Sequence, residues 1–89
     1  MAKIVVRDEL CNKIEALQYE VESRKDVIAQ IVAGLLVMKK ESFDAYQNEY
    51  KQFFIQYNKA KQEMLDEYNV SNDAMWSLDF NSKELTIVE

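Results

Sequence analysis

Glu63, Asp66 and Glu67 fall on neighbouring turns of a helical stretch, as do Glu22 and Asp26. Oxygen ligands spaced in this way can hold a divalent cation, but a solvated acidic face has the same spacing, and solvated surface is the expectation here. The chain has no histidine. That removes Ser-His and Cys-His nucleophile pairs, the usual general base near neutrality and the imidazole metal ligand. Cys11 is the one cysteine. It cannot build a thiolate zinc cluster or an internal disulfide, which leaves a reactive thiol, an intersubunit bridge or a small packing residue; packing is expected. Gly34 is the sole glycine, too few for a loop that cradles phosphate. These residues predict a non-catalytic protein with no cofactor and no metal.

Aromatic side chains offer a different chemistry. Tyr46, Tyr50, Phe53 and Tyr57 could stack on nucleobases or line a small-ligand pocket. Platforms for nucleic acid carry basic residues beside the rings, and here only Lys51, Lys59 and Lys61 are near, within a chain of net charge −5. Acid excess opposes binding to a phosphate backbone, so no nucleic-acid partner is expected. The bland alternative is that these rings form a core, with their hydroxyls at its rim.

The elements that carry these residues are written in the periodicity. Leu10, Ile14, Leu17, Val21, Arg24, Ile28, Ile31, Leu35 and Met38 alternate steps of four and three, the seam of a helix facing another helix. Phe43, Tyr46, Tyr50, Phe53, Tyr57, Ala60 and Met64 make a second seam. The two are out of phase across Lys39-Lys40-Glu41-Ser42, where the chain is expected to turn. This gives helices over 8–39 and 42–69, capped by Asp8 and Ser42, with Asp44 complementing the second helix dipole. Folding back there sets Leu35 against Tyr46, Ile31 against Tyr50, Ile28 against Phe53 and Arg24 against Tyr57. Ile28, Ile31, Leu35, Tyr50 and Phe53 become the expected helical core. Arg24 either packs its stem on the seam, with its guanidinium in solvent or stacked on a ring, or serves as a polar register pin or an interchain ion pair.

Apolar residues exceed what such a hairpin uses. Val27, Val32, Leu36 and Val37 widen the first stripe, and Phe54, Ile55, Leu65 and Tyr68 the second, which points to further neighbours. Ala29, Ala33 and Gly34 are small enough to let another helix approach. At the chain ends, Ile4, Val5 and Val6 predict a strand over 3–7. Trp76, Leu78 and Phe80 alternate with polar residues and start a β-hairpin over 76–88, turning at Asn81-Ser82-Lys83-Glu84. Trp76 serves either as an anchor on the helices or as a contact for a partner.

Eighty-nine residues fit one domain, residues 1–89, and 48% of them are hydrophobic. The longest apolar run, Ile31 to Met38, is well under the ~20 residues that span a bilayer, and no signal peptide is evident. No membrane partner is expected, and the location read from this is cytoplasmic.

The layout, with Glu67-Tyr68-Asn69 followed by the segment Trp76 to Leu85, resembles small coiled-coil helical-hairpin proteins encoded by bacteriophages, which have no assigned function. Two glycines of that pattern are replaced here, by Asn69 and Lys83. The resemblance implies phage origin, and hence a host cytoplasm or a virion, but no site residue.

The expected fold is therefore mainly α: a long antiparallel two-helix hairpin with a short N-terminal strand and a C-terminal β-hairpin, oligomeric. The expected role is a homo-oligomeric structural or adaptor protein, such as a phage assembly component. It would bind itself and another protein through Val32, Leu36, Phe54 and Trp76. The alternative is a small inhibitor or anti-defence protein that binds a host protein or sequesters a small signalling ligand.

Overall fold

The computed structural model of the chain describes residues 2–88. Its elements run β1 (Ala2–Val5), α1 (Asp8–Val32), α2 (Lys40–Glu67), β2 (Met75–Asp79) and β3 (Glu84–Val88). The mainly helical plan read from the stripes holds: two helices, a strand before them and a β-hairpin after them.

The helices end elsewhere than expected. α1 stops at Val32, well short of 39, because Gly34 takes a left-handed conformation at φ +79°. The Leu35 amide donates to the Gln30 carbonyl (2.8 Å) and the Gly34 amide to that of Ile31 (3.1 Å). This crossed pair satisfies carbonyls that a helix end leaves open, and it needs a residue that tolerates positive φ. Leu35, Leu36 and Val37 are therefore connection and not helix. α2 accordingly begins at Lys40, before the expected 42. It closes in the same way at Asn69 (φ 56°): the Val70 amide donates to the Leu65 carbonyl (2.8 Å) and the Asn69 amide to that of Asp66 (3.3 Å).

Neither Asp8 nor Ser42 caps a helix. The N-cap positions are Arg7 and Lys39, and neither makes a side-chain cap bond. Asp8 and Glu9 in the first turn of α1, and Glu41 in that of α2, still place negative charge at the positive ends of the helix dipoles.

An earlier turn slides the two helices past the expected register by roughly one helical turn. The Arg24 guanidinium lies over the Phe53 ring, 4.2 Å from its centroid, and not opposite Tyr57. The Tyr57 hydroxyl instead donates to Gln18 Oε1 (3.1 Å).

The three strands form one antiparallel sheet in the order β1-β3-β2, so the terminal strands pair within the chain. Ile4 pairs with Leu85 across β1 and β3, and Leu85 pairs with Leu78 across β3 and β2. Alternation along the strands puts Ile4, Trp76, Leu78, Leu85 and Ile87 against the helices. The hairpin connection is 80–83, one residue earlier than expected, and it is set by the Asp79 carboxylate, which accepts from the amides of Asn81 (2.8 Å) and Ser82 (3.2 Å). Lys83 closes it at φ 59°. Both positions where the phage pattern has glycine, Asn69 and Lys83, are thus left-handed here.

The core lies where sheet and helices meet. Val6, Leu10, Cys11, Ile14, Ala60, Met64, Leu65 and Leu85 are buried together, with Leu17, Tyr57, Tyr68, Trp76 and Phe80 packed around them. The expected core of Ile28, Ile31, Leu35, Tyr50 and Phe53 is not buried: four of these are half-exposed and Leu35 is open to solvent. A seam between two helices has only two walls, and the sheet supplies the third wall at the base alone. The molecule is elongated, 47 × 24 × 19 Å, with a radius of gyration of 15.9 Å where a compact chain of this length has about 12 Å. No helix of the described residues is long and apolar enough to cross a membrane.

Candidate interaction surface

Beyond Val21 on α1 and before Ala60 on α2, no described residue is buried, so this stretch of the hairpin is an arm reaching out from the packed base. Its apolar residues are open. Val32 is 76% exposed, Leu35 76% and Val37 99%, with Leu36 at 43% and Phe54 at 44%. The four residues expected to form the interface do not lie together. Val32 and Leu36 sit at the tip. Phe54 is about 20 Å down α2 from Lys40, at 1.5 Å per residue, where it flanks the seam beside Tyr50 with ring centroids 6.0 Å apart. Trp76 is half-buried on the sheet face that packs against the core, the anchor position of the two expected for it. Val37, which widened the first stripe, is open at the tip, and Leu35 is a surface residue that the stripe concealed. Leu35 fits the helical step, and only the left-handed Gly34 before it shows that the helix has already ended.

Charge divides the molecule along the same line. No charged residue lies between Asp26 and Lys39. Residues 61–89 hold two lysines against seven carboxylates, which is the whole net charge of −5, and the rest of the chain is neutral. Most ion pairs gather at the base. Arg7 Nε donates to both Glu67 oxygens (2.9 and 3.1 Å), while its terminal nitrogens lie 3.6 Å from Glu9 and from Glu63. Lys13 reaches Glu63 (3.3 Å) and Lys83 reaches Asp8 (3.4 Å). The Arg7 amide donates to the Tyr68 hydroxyl (2.8 Å), tying the strand-to-helix junction to the end of α2. On the arm, Arg24 stacks on Phe53 and also bridges Glu20 on its own helix to Glu49 on α2. At the tip, Lys39, Lys40, Glu41 and Asp44 form no ion pair among the described residues.

The Arg7 hydrogen bond holds the Glu67 carboxyl below its usual range. A group depressed on folding contributes stability that is complete above its unfolded pKa, about 4.3 for glutamate, and lost as pH falls through the folded value. The melting temperature should therefore fall on acidification from about pH 5 toward pH 3, and Arg7→Gln should flatten that slope. Circular dichroism melts across this range test it; parallel slopes in the two proteins would dismiss the Arg7–Glu67 contribution.

Most groups singled out for chemistry are used structurally, whereas Glu22 and Asp26 are exposed and form no ion pair among the described residues. Cys11 is buried, and burial pushes its thiol pKa up, which keeps it protonated and poorly nucleophilic. Glu63 and Glu67 are taken by Arg7 and Lys13, and Asp66 accepts from Gln62 (2.8 Å). Among the described residues no cluster of carboxylates and cysteine is arranged to hold a metal, and the surface has no pocket. Tyr46, Tyr50 and Tyr57 line the seam half-buried, and Lys61 lies over the Tyr57 ring at 4.2 Å. What the geometry offers is an arm with an open, uncharged apolar tip on a well-packed acidic base. The chain matches no protein-family model, and no curated protein or solved structure was found similar to it.

Proposed function

We propose that this chain is a non-catalytic structural or adaptor protein that works as a homo-oligomer, an assembly component of phage type acting in the cytoplasm or in a particle built there. One observation carries the reading. The accessible surface is 6263 Å², whereas a folded monomer of 10.5 kDa exposes about 5,400 Å². The surplus, about 800 Å², is what each partner buries in a standard protein–protein interface. Much of what lies open is aliphatic and aromatic, and water contact at such surface is unfavourable by roughly 25 cal/mol per Å². A second copy is the partner always present at matching concentration. The absence of histidine and the single buried cysteine support the non-catalytic part of the reading.

Sedimentation equilibrium at micromolar concentration should give a mass above that of one copy. A folded protein that stays monomeric there would remove the homo-oligomer, and the role would pass to an adaptor with a different partner.

A further inference from the structure

We infer that the arm is the self-association surface, and that two copies lay their arms side by side and antiparallel, each tip beside Phe54 of the other copy. This rests on the homo-oligomeric reading above and goes further, in naming the surface and the orientation.

Three observations converge on it. The arm is the one stretch of the hairpin in which no described residue is buried, because its seam of Ile28, Ile31, Phe43, Tyr46, Tyr50 and Phe53 has only two walls. Two such seams laid together form a four-helix bundle, in which each pair of helices supplies the walls the other lacks. Within the arm, the exposed large apolar residues lie at two levels, the tip (Val32, Leu35, Leu36, Val37) and Phe54 with Ile55, about 20 Å apart along the axis. A two-fold contact is self-complementary: if the tip of one copy meets Phe54 of the other, the reverse contact follows. One antiparallel overlap of that length covers both levels at once. Charge then selects the direction. A parallel pair would set two acidic bases side by side, each with five cations against eleven carboxylates in residues 1–21 and 60–89, whereas the antiparallel pair holds them at opposite ends. Between the bases lie arms that are nearly balanced, with six cations against five carboxylates in residues 22–59. Lys39 and Lys40, which have no partner among the described residues within one copy, come to the level of Glu22 and Asp26 of the other.

Two measurements on the full chain test this. Leu35→Glu combined with Val37→Glu should weaken self-association at least about a hundredfold, because it buries charges without partners. The melting temperature of the isolated copy should not move, since both side chains are open. Orientation is read by cysteine cross-linking, with Cys11 buried and silent: Val37→Cys copies should join Phe54→Cys copies when mixed, in preference to either joining itself. A wild-type oligomer that persists in the double glutamate variant overturns the arm while leaving the homo-oligomer standing. Preferential Val37–Val37 or Phe54–Phe54 links overturn the antiparallel overlap. A wild-type monomer overturns both readings, and one that co-sediments with phosphatidylcholine vesicles gives the arm to a lipid surface.

Discussion

Leu85→Ala should cost about 2–5 kcal/mol, while Leu35→Ala should change stability by no more than about 0.5 kcal/mol in the dissociated copy. The two substitutions delete the same atoms. Leu85 is fully buried at the centre of the sheet, paired with Ile4 on one side and Leu78 on the other, and it packs on Leu10, Ile14 and Met64. Truncation there loses the transfer free energy of the methyl groups and leaves a cavity that the junction of one sheet with two helices cannot readily close. Leu35 lies past the end of α1 and is already solvated. Domains of this size have total stabilities of about 5–15 kcal/mol, so the first change is a large part of the whole. Urea unfolding at a concentration where one copy stands alone gives both values. Equal losses would return the core to the arm and refute the burial described here.

That contrast shows what the stripes can and cannot report. The seam positions have the same character from Leu10 to Met38, and nothing in the spacing says which half is covered. Coverage comes from the sheet, built from the two ends of the chain and therefore set by contacts distant in sequence. β-branched residues at Ile4–Val6 and alternation from Trp76 to Phe80 were enough to locate the strands, although β1 ends at Val5, before Val6, and Phe80 falls in the connection. Their joint packing on Leu10, Ile14 and Met64 was not legible, and so the expected core sat at the wrong end of the hairpin.

The surface was legible in part for the same reason. Val32, Leu36, Val37 and Phe54 stood out because they lie off the four-three seam, and such positions have no wall in a two-helix hairpin. Leu35 was hidden because it fits the seam. Trp76 lies on the same sheet face as Leu78 and Leu85, so its ring contributes to the core and not to the open arm. Arg24 fell between its two expected roles. The ring it stacks on is Phe53, and its ion pair with Glu49 joins the two helices of one chain. That contact pins the register within a copy.

The position of the turn depends on one residue. Gly34→Ala should destabilise the isolated copy by about 1–2 kcal/mol, the cost of a side chain in the left-handed region. For a domain of this length that lowers the melting temperature by roughly 5–15 °C. A Cβ at Gly34 would meet nothing within 4 Å, so the cost comes from the backbone and not from a clash. Gly34→Asn should recover much of the loss, because asparagine tolerates this conformation and already ends α2 at position 69. The opposite change belongs at Lys83, where a long side chain is held at φ 59°. Lys83→Gly removes that strain but makes the unfolded chain more flexible and gives up the exposed pair with Asp8, for a net gain of about 0.5–1 kcal/mol. Thermal melts of the three variants test the scheme. Should Gly34→Ala melt with the wild type, the crossed hydrogen bonds at Gln30 and Ile31 would not be what ends α1, and the turn would have to be set by the arm's partner instead.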